Sequence, residues 1–127
     1  MATHRILVLD DDMDTCLNLR DVLQVMGDYQ VDIAPDGASA LDLMNAGHSY
    51  GAAIFDLKLP KLDGIQVYEA AMRSGSAVPT ILVSAYTNSD TQKRAYDAGL
   101  FCVISKPVSM DQLLLSLIAA IETADKN

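Results

Sequence analysis

Basic residues and cysteines are both scarce in this sequence, and each scarcity excludes a class of protein. The 9 Lys and Arg residues are outnumbered by 17 Asp and Glu residues, which gives a net charge of −8. Because phosphate backbones are held by clustered Lys and Arg, this balance argues against direct binding of nucleic acid. Cys16 and Cys102 are too few for a disulfide-stapled scaffold, and we expect both to be reduced and buried as small hydrophobic residues.

Long apolar runs are absent as well. No segment approaches the roughly 18 to 20 consecutive apolar residues that a membrane-spanning helix needs. The first apolar run, Ile6 to Leu9, ends at three aspartates and lacks the features of a secretory signal. We therefore expect a cytoplasmic chain without a membrane segment. Its 127 residues, half of them hydrophobic, fit one domain spanning 1–127.

Two patterns alternate regularly along the chain. Short apolar runs predict five β-strands, at about 5–9, 30–34, 51–56, 79–84 and 101–104. A repeat of apolar residues every three to four positions after these runs, weak only in the fourth segment, predicts five α-helices. The first two end at Gly27 and Gly47, the fourth covers about 88–98, and the last begins near Ser109 as its N-cap.

The order of these elements predicts an α/β sandwich of three layers, with a parallel sheet covered by helices on both faces. The second strand alternates apolar residues with Gln30 and Asp32, which predicts an edge position. The fourth helix carries mostly polar residues, so we expect it to pack lightly.

Reactive side chains follow four of the five predicted strands. They are Asp10-Asp11-Asp12 after the first, Asp56 at the end of the third, Ser84 at the end of the fourth and Ser105-Lys106 after the fifth. Because ligands of parallel sheets bind at the carboxyl ends of the strands, we expect these groups to converge at one edge. Carboxylates, a hydroxyl and an ammonium group together form a hard-cation site beside an oxyanion site, and Mg²⁺ is the cation that fits.

The charges at this edge assign chemical roles. A carboxylate that attacks a phosphoryl donor approaches an anionic group, so positive charge must neutralise the transferring oxygens. Asp56 is the natural nucleophile because it is a lone carboxylate that ends a central apolar strand. Lys106 would supply positive charge, and Ser84 would donate its hydroxyl to a phosphoryl oxygen.

Four segments resemble the motifs of response-regulator receiver domains in two-component signalling. They are Ile6 to Asp12, Ile54 to Pro60 with Asp63-Gly64, Val83 to Ala85, and Ser105 to Pro107. The resemblance spans the whole chain and follows the family's order of motifs. It implies a flavodoxin-like fold with strand order 2-1-3-4-5.

The resemblance also implies roles for single residues. Asp11 matches a direct Mg²⁺ ligand, Asp10 a ligand that acts largely through water, and Asp56 both a ligand and the phosphoacceptor. Lys58 would give its backbone carbonyl to the metal ion. Lys58 and Tyr86 match positions that flank the phosphoryl group, and our hypothesis is that they set the rate of its hydrolysis.

By the same resemblance, Ser84 and Lys106 would bind the phosphoryl group and report it to the surface formed by helix four, strand five and helix five. The family usually carries an aromatic residue three positions before Lys106, and its rotamer follows phosphorylation. Val103 stands there in this sequence, which puts that form of readout in doubt. Phe101 lies two residues earlier and is a candidate to fill part of the space.

The expected function is that of a phosphorelay receiver. A histidine kinase or a histidine phosphotransfer protein would phosphorylate Asp56, and the acyl phosphate would switch a face that binds a downstream protein. A homodimer through the surface of helix four, strand five and helix five is a further expected assembly. We expect no enzymatic turnover beyond self-phosphorylation from small donors and self-dephosphorylation.

Two alternatives stay open at this stage. One is a phosphatase with an aspartyl nucleophile, although such enzymes commonly place D-x-D-x-[TV] after the first strand, whereas Asp14 stands in the last position here. The other is a receiver-shaped scaffold that works without phosphorylation. We expect no effector domain after the last helix of this chain, which fits a stand-alone receiver or a piece of a hybrid kinase or longer regulator.

Overall fold

The computed structural model describes residues 4–85 and 87–125, which form five strands and five helices in strict alternation. The strands are β1 (His4–Leu9), β2 (Tyr29–Ala34), β3 (Tyr50–Asp56), β4 (Thr80–Ser84) and β5 (Cys102–Ser105). The helices are α1 (Met13–Met26), α2 (Gly37–Asn45), α3 (Gly64–Arg73), α4 (Ser89–Ala98) and α5 (Met110–Asp125). The predicted alternation is confirmed, and each strand begins and ends within one residue of its expected position.

The strands form one parallel sheet in the order β2-β1-β3-β4-β5, which confirms the flavodoxin-like topology. The chain leaves β1 toward β2 and returns on the other side of β1 as β3, so the strand order reverses between these two strands. Leu9 pairs with Phe55, and Ser84 pairs with Ser105. This register aligns the strand ends that carry the predicted reactive residues.

Apolar clusters cover both faces of the sheet. Leu7, Phe55 and Leu82 are fully buried in the cluster that faces α2, α3 and α4. Ile6 and Ile81 are fully buried in the cluster that faces α1 and α5. Because successive side chains of a strand point to opposite faces, strands buried on both sides need apolar residues at every position. The continuous apolar runs of β1, β3 and β4 follow from this requirement.

The weakly apolar segments also lie where their composition requires. β2 occupies an edge of the sheet, with Gln30 exposed, as its alternating pattern predicts. α4 buries only Thr91 and Ala95, so the expected light packing is confirmed for the described residues. Its first turn is held by Asn88, whose side chain accepts a hydrogen bond from the Thr91 backbone N–H.

Two further expectations concern Ser109 and the cysteines. Ser109 caps α5, because its hydroxyl accepts a hydrogen bond from the Gln112 backbone N–H at 3.3 Å. Both cysteines are free thiols, with Cys16 buried and Cys102 half-buried. Burial raises the pKa of the Cys16 thiol to about 11, so it remains neutral at physiological pH. None of the helices in the described ranges combines the length and apolar composition of a bilayer crossing.

Gly64 opens α3 directly beneath the end of β3, and its backbone N–H donates a hydrogen bond to the Leu57 carbonyl at 2.8 Å. A Cβ atom here would collide with the backbone carbonyl oxygen of Asp56. We predict that Gly64→Ala lowers the free energy of unfolding by about 1 to 3 kcal/mol, the range for overpacking a tight site. Urea denaturation of the purified variant measures this loss.

Gly51→Ala is the matched control, because a Cβ at Gly51 in β3 would meet its nearest neighbour, a His4 ring carbon, at 3.4 Å. We expect this variant to unfold near the wild-type urea concentration. Equal stability of the two variants would show that the contact between Gly64 and the end of β3 is not tight.

Candidate functional site

Three carboxylates converge at the carboxyl ends of β1 and β3. One oxygen from each of Asp10, Asp11 and Asp56 lies within 4.8 Å of the others. Asp10 and Asp56 are each only 7% exposed, whereas Asp11 is exposed. The pairing of Leu9 with Phe55 causes this convergence, because the residue that follows Leu9 then lies beside the residue that follows Phe55.

Crowding of negative charge is visible at Asp10. Burial raises the pKa of the Asp10 carboxyl group, and the nearby Asp56 carboxylate raises it further. The Asp12 backbone N–H opposes these effects by donating a hydrogen bond to Asp10 Oδ1 at 2.9 Å. Partly buried like charges at this separation repel one another strongly, so the cluster needs positive charge to hold its ionised form.

Lys106 provides part of that positive charge. Its Nζ lies 3.1 Å from Asp56 Oδ1, although the two residues are far apart in sequence. The Lys106 backbone N–H donates a hydrogen bond to the Ser84 carbonyl at 2.9 Å, which continues the β4–β5 pairing past the end of the strands. Ser84 is itself 2% exposed, so its position at the end of β4 is fixed by surrounding atoms.

These groups line one open cleft of about 390 Å³. Six of the eight residues to which the sequence assigned roles are among its lining residues: Asp10, Asp11, Asp56, Lys58, Ser84 and Lys106. Val103 is not brought to the cleft but is half-buried against the apolar cluster on the α4 side of the sheet. Tyr86 lies outside the described residues.

Asp12 has a different role from its two acidic neighbours. It is the N-cap of α1, and its carboxylate accepts hydrogen bonds from the Asp14 backbone N–H at 3.2 Å and the Thr15 hydroxyl at 2.7 Å. The Thr15 hydroxyl is the main reason why the pKa of Asp12 lies below its usual value. Thr15 also lines the cleft, a position that sequence reasoning missed because a threonine in a first helical turn is common.

Comparison with known proteins decides the family. The family model described as "Response regulator receiver domain" matches residues 6–118. The chain belongs to this family. Receiver domains generally bind Mg²⁺ at an acidic pocket, and this chain has an acidic cluster of Asp10, Asp11 and Asp56. Its oxygen donors suit Mg²⁺, which takes one or two protein carboxylates and completes its shell with water and phosphate oxygens.

Curated relatives include two bacterial regulators. The chain is 40% identical over 116 residues to the transcriptional regulatory protein KdpE of Mycobacterium tuberculosis (strain H37Rv). The aligned region covers 91% of this chain and 50% of that protein. It is also 34% identical over 115 residues to the response regulator MprA of Mycobacterium sp. (strain KMS). This second aligned region covers 91% of this chain and 49% of that protein. The receiver therefore spans about half the length of the curated relatives it matches.

Solved structures agree in fold. A CheY-like receiver domain from Methanospirillum hungatei JF-1 has a TM-score of 0.89 and 27% identity, over 98% of both chains. The CheX–CheY complex of Borrelia burgdorferi with BeF3 and Mg²⁺ has a TM-score of 0.84 and 23% identity, over 91% of this chain and 87% of the other. The second likeness bears on the fold alone.

The different roles of Asp11 and Asp12 generate a prediction about metal binding. Asp11→Asn removes a carboxylate of the cluster, so we expect Mg²⁺ affinity to fall about tenfold or more. A loss of about tenfold is the lower end of what is typical when a group that supports a metal ligand is mutated. Isothermal titration calorimetry with Mg²⁺ measures the change.

Asp12→Asn is the control, because it removes the same charge one residue away while asparagine caps a helix as well as aspartate does. We expect a clearly smaller loss of affinity. Equal losses in the two variants would mean that general negative charge, not a defined ligand set, attracts the cation.

Proposed function

We propose that this receiver accepts a phosphoryl group on Asp56 in a Mg²⁺-dependent reaction and then switches a partner-binding face. The observation that carries the proposal is the ion pair between Lys106 Nζ and Asp56 Oδ1 at 3.1 Å, inside a cleft that also gathers Asp10 and Asp11. Phosphoryl transfer to a carboxylate requires that carboxylate as nucleophile, a cationic side chain beside it and oxygen ligands for a metal ion.

The chemistry follows from the positions of these groups. A carboxylate oxygen of Asp56 attacks the phosphorus of a phosphohistidine, the P–N bond breaks, and its electron pair returns to the imidazole nitrogen of the donor. Lys106 then binds a phosphoryl oxygen, and the Ser84 hydroxyl donates a hydrogen bond to another.

Mg²⁺ would be held by Asp10, Asp11, Asp56 and the backbone carbonyl of Lys58. When bound, it supplies positive charge that offsets the carboxylates and the oxygens of the incoming phosphoryl group. Burial, and after it the charge of the neighbouring Asp56, raises the pKa of Asp10, and a divalent cation would offset both effects by favouring the ionised carboxylate. The Borrelia burgdorferi complex, which is similar to this chain in fold, contains BeF3 and Mg²⁺, and we choose the same pair as the probe for the proposed site.

The proposed partners are proteins. A histidine kinase or a histidine phosphotransfer protein is the donor, and a downstream protein or a second copy of the chain binds the surface formed by α4, β5 and α5. Tyr96 in α4 is 84% exposed, and Phe101 in the turn between α4 and β5 is 36% exposed. Exposed aromatic residues of this kind are favoured at protein interfaces. The free thiols of Cys16 and Cys102 are consistent with the proposed cytoplasmic location.

The proposal treats the chain as a phosphoacceptor switch that turns over no external substrate, beyond self-phosphorylation from small donors and self-dephosphorylation. An aspartyl phosphatase would hydrolyse a generic phosphomonoester repeatedly, whereas a receiver is labelled once. A scaffold without phosphorylation would neither bind Mg²⁺ nor be labelled. The ion pair of Lys106 with the buried Asp56 favours the switch, because it places a cation beside the carboxylate that would be phosphorylated.

The direct test is Asp56→Asn. We predict that acetyl phosphate or phosphoramidate with Mg²⁺ adds the mass of one phosphoryl group to the wild type and adds nothing to this variant, because the amide is not a nucleophile for phosphorus. Intact-mass spectrometry measures the addition.

Asp12→Asn serves as the control and is expected to be labelled like the wild type. Labelling of Asp56→Asn at the wild-type rate would assign the phosphoacceptor to another residue. Repeated turnover of a phosphomonoester by the wild type would favour the phosphatase.

We also propose that Lys58 and Tyr86 set the lifetime of the acyl phosphate. Lys58 is exposed in the lining of the cleft, where its side chain can influence water that approaches the phosphoryl group. We predict that Lys58→Ala and Tyr86→Ala change the rate at which the phosphorylated protein loses its added mass over time. Identical decay in the wild type and both variants would contradict this role.

A further inference from the structure

The loop between β4 and α4 is tied to β5 by a hydrogen bond between two hydroxyl groups. Thr87 Oγ1 and Ser105 Oγ lie 2.9 Å apart, although the residues are 18 positions apart in sequence. Thr87 lies three residues after Ser84, and Ser105 directly precedes Lys106. The pair therefore joins the two segments whose ends carry the proposed phosphoryl-binding groups.

A second contact extends this link to α4. The Gln92 side-chain amide donates a hydrogen bond to the Thr87 carbonyl at 3.2 Å. The next residue, Asn88, caps the same helix through the Thr91 backbone N–H at 2.9 Å. Any displacement of Thr87 therefore acts directly on the first turn of α4.

The residue at the usual readout position cannot make such a link. Val103 has no polar group, and it is half-buried against the apolar cluster on the α4 side. A valine side chain has a single torsion and no ring that could swing between an inward and an outward position. The hydroxyl pair of Thr87 and Ser105 offers another connection between the phosphorylation site and α4.

We propose that Thr87 and Ser105 are positioning residues that couple the phosphorylation site to α4 through their hydroxyl–hydroxyl hydrogen bond. The inference rests on the proposed function, because it concerns how phosphorylation of Asp56 is reported. Neither residue lines the cleft in the described part of the chain, so neither contacts the phosphoryl group itself. A phosphoryl group bound by Ser84 and Lys106 would act on both segments that the pair connects.

The test compares Thr87→Val, which replaces the hydroxyl by a methyl group of similar size, with Thr87→Ser, which keeps the hydroxyl. Ser105→Ala removes the other partner. Each protein is titrated with beryllofluoride in the presence of Mg²⁺, and NMR follows the backbone amides of α4 and those beside Asp56. Because a solvent-exposed hydroxyl pair contributes little to folding, we expect all three variants to fold.

We expect Thr87→Val and Ser105→Ala to bind beryllofluoride, with the amides beside Asp56 shifting as in the wild type, while the shifts of the α4 amides fall below half of their wild-type size. Thr87→Ser is expected to restore the α4 shifts. Wild-type α4 shifts in Thr87→Val, or loss of beryllofluoride binding in that variant, would overturn the inference. Failure of the wild type itself to bind beryllofluoride would instead overturn the proposed function.

Discussion

The repulsion among three carboxylates at one rim of the sheet is the constraint on which the rest of this structure depends. The parallel pairing of β1 with β3 brings one carboxylate oxygen from each of Asp10, Asp11 and Asp56 within 4.8 Å of the others. Such an arrangement is unfavourable unless positive charge is near. Lys106, directly after β5, supplies a single positive charge, and the remaining negative charge is what makes the cleft a place for a divalent cation.

The scaffold contributes rigidity to this edge. Strands buried on both faces leave little freedom at their ends, and Gly64 lets α3 begin in contact with the Asp56 backbone. Asp12 turns the chain into α1 by capping it, so that Asp10 and Asp11 stay at the rim while their neighbour serves the helix. Hydrogen bonds of Thr87 with Ser105 and with Gln92 connect the same rim to α4. Through them, in our proposal, phosphorylation of the buried Asp56 changes the position of this helix.

Most of the fold and the site could be predicted from sequence because both depend on local patterns. Apolar runs locate the strands, and a polar residue such as Asp56 or Ser84 that ends a run lies at the sheet edge. The pairing of Leu9 with Phe55 has no local signal, so the distances among the carboxylates required coordinates. The Thr87–Ser105 contact was missed for the same reason, because hydroxyl residues are frequent in loops and nothing in sequence pairs them.

The central claim is that uncompensated negative charge at this rim calls for a divalent cation, and thermal unfolding of the unphosphorylated chain tests it most directly. A ligand that binds only the folded state raises the melting temperature in proportion to the logarithm of its concentration above Kd. The account predicts that MgCl2 raises the melting temperature progressively, whereas NaCl at matched ionic strength raises it much less. Identical melting curves in the two salts would contradict it.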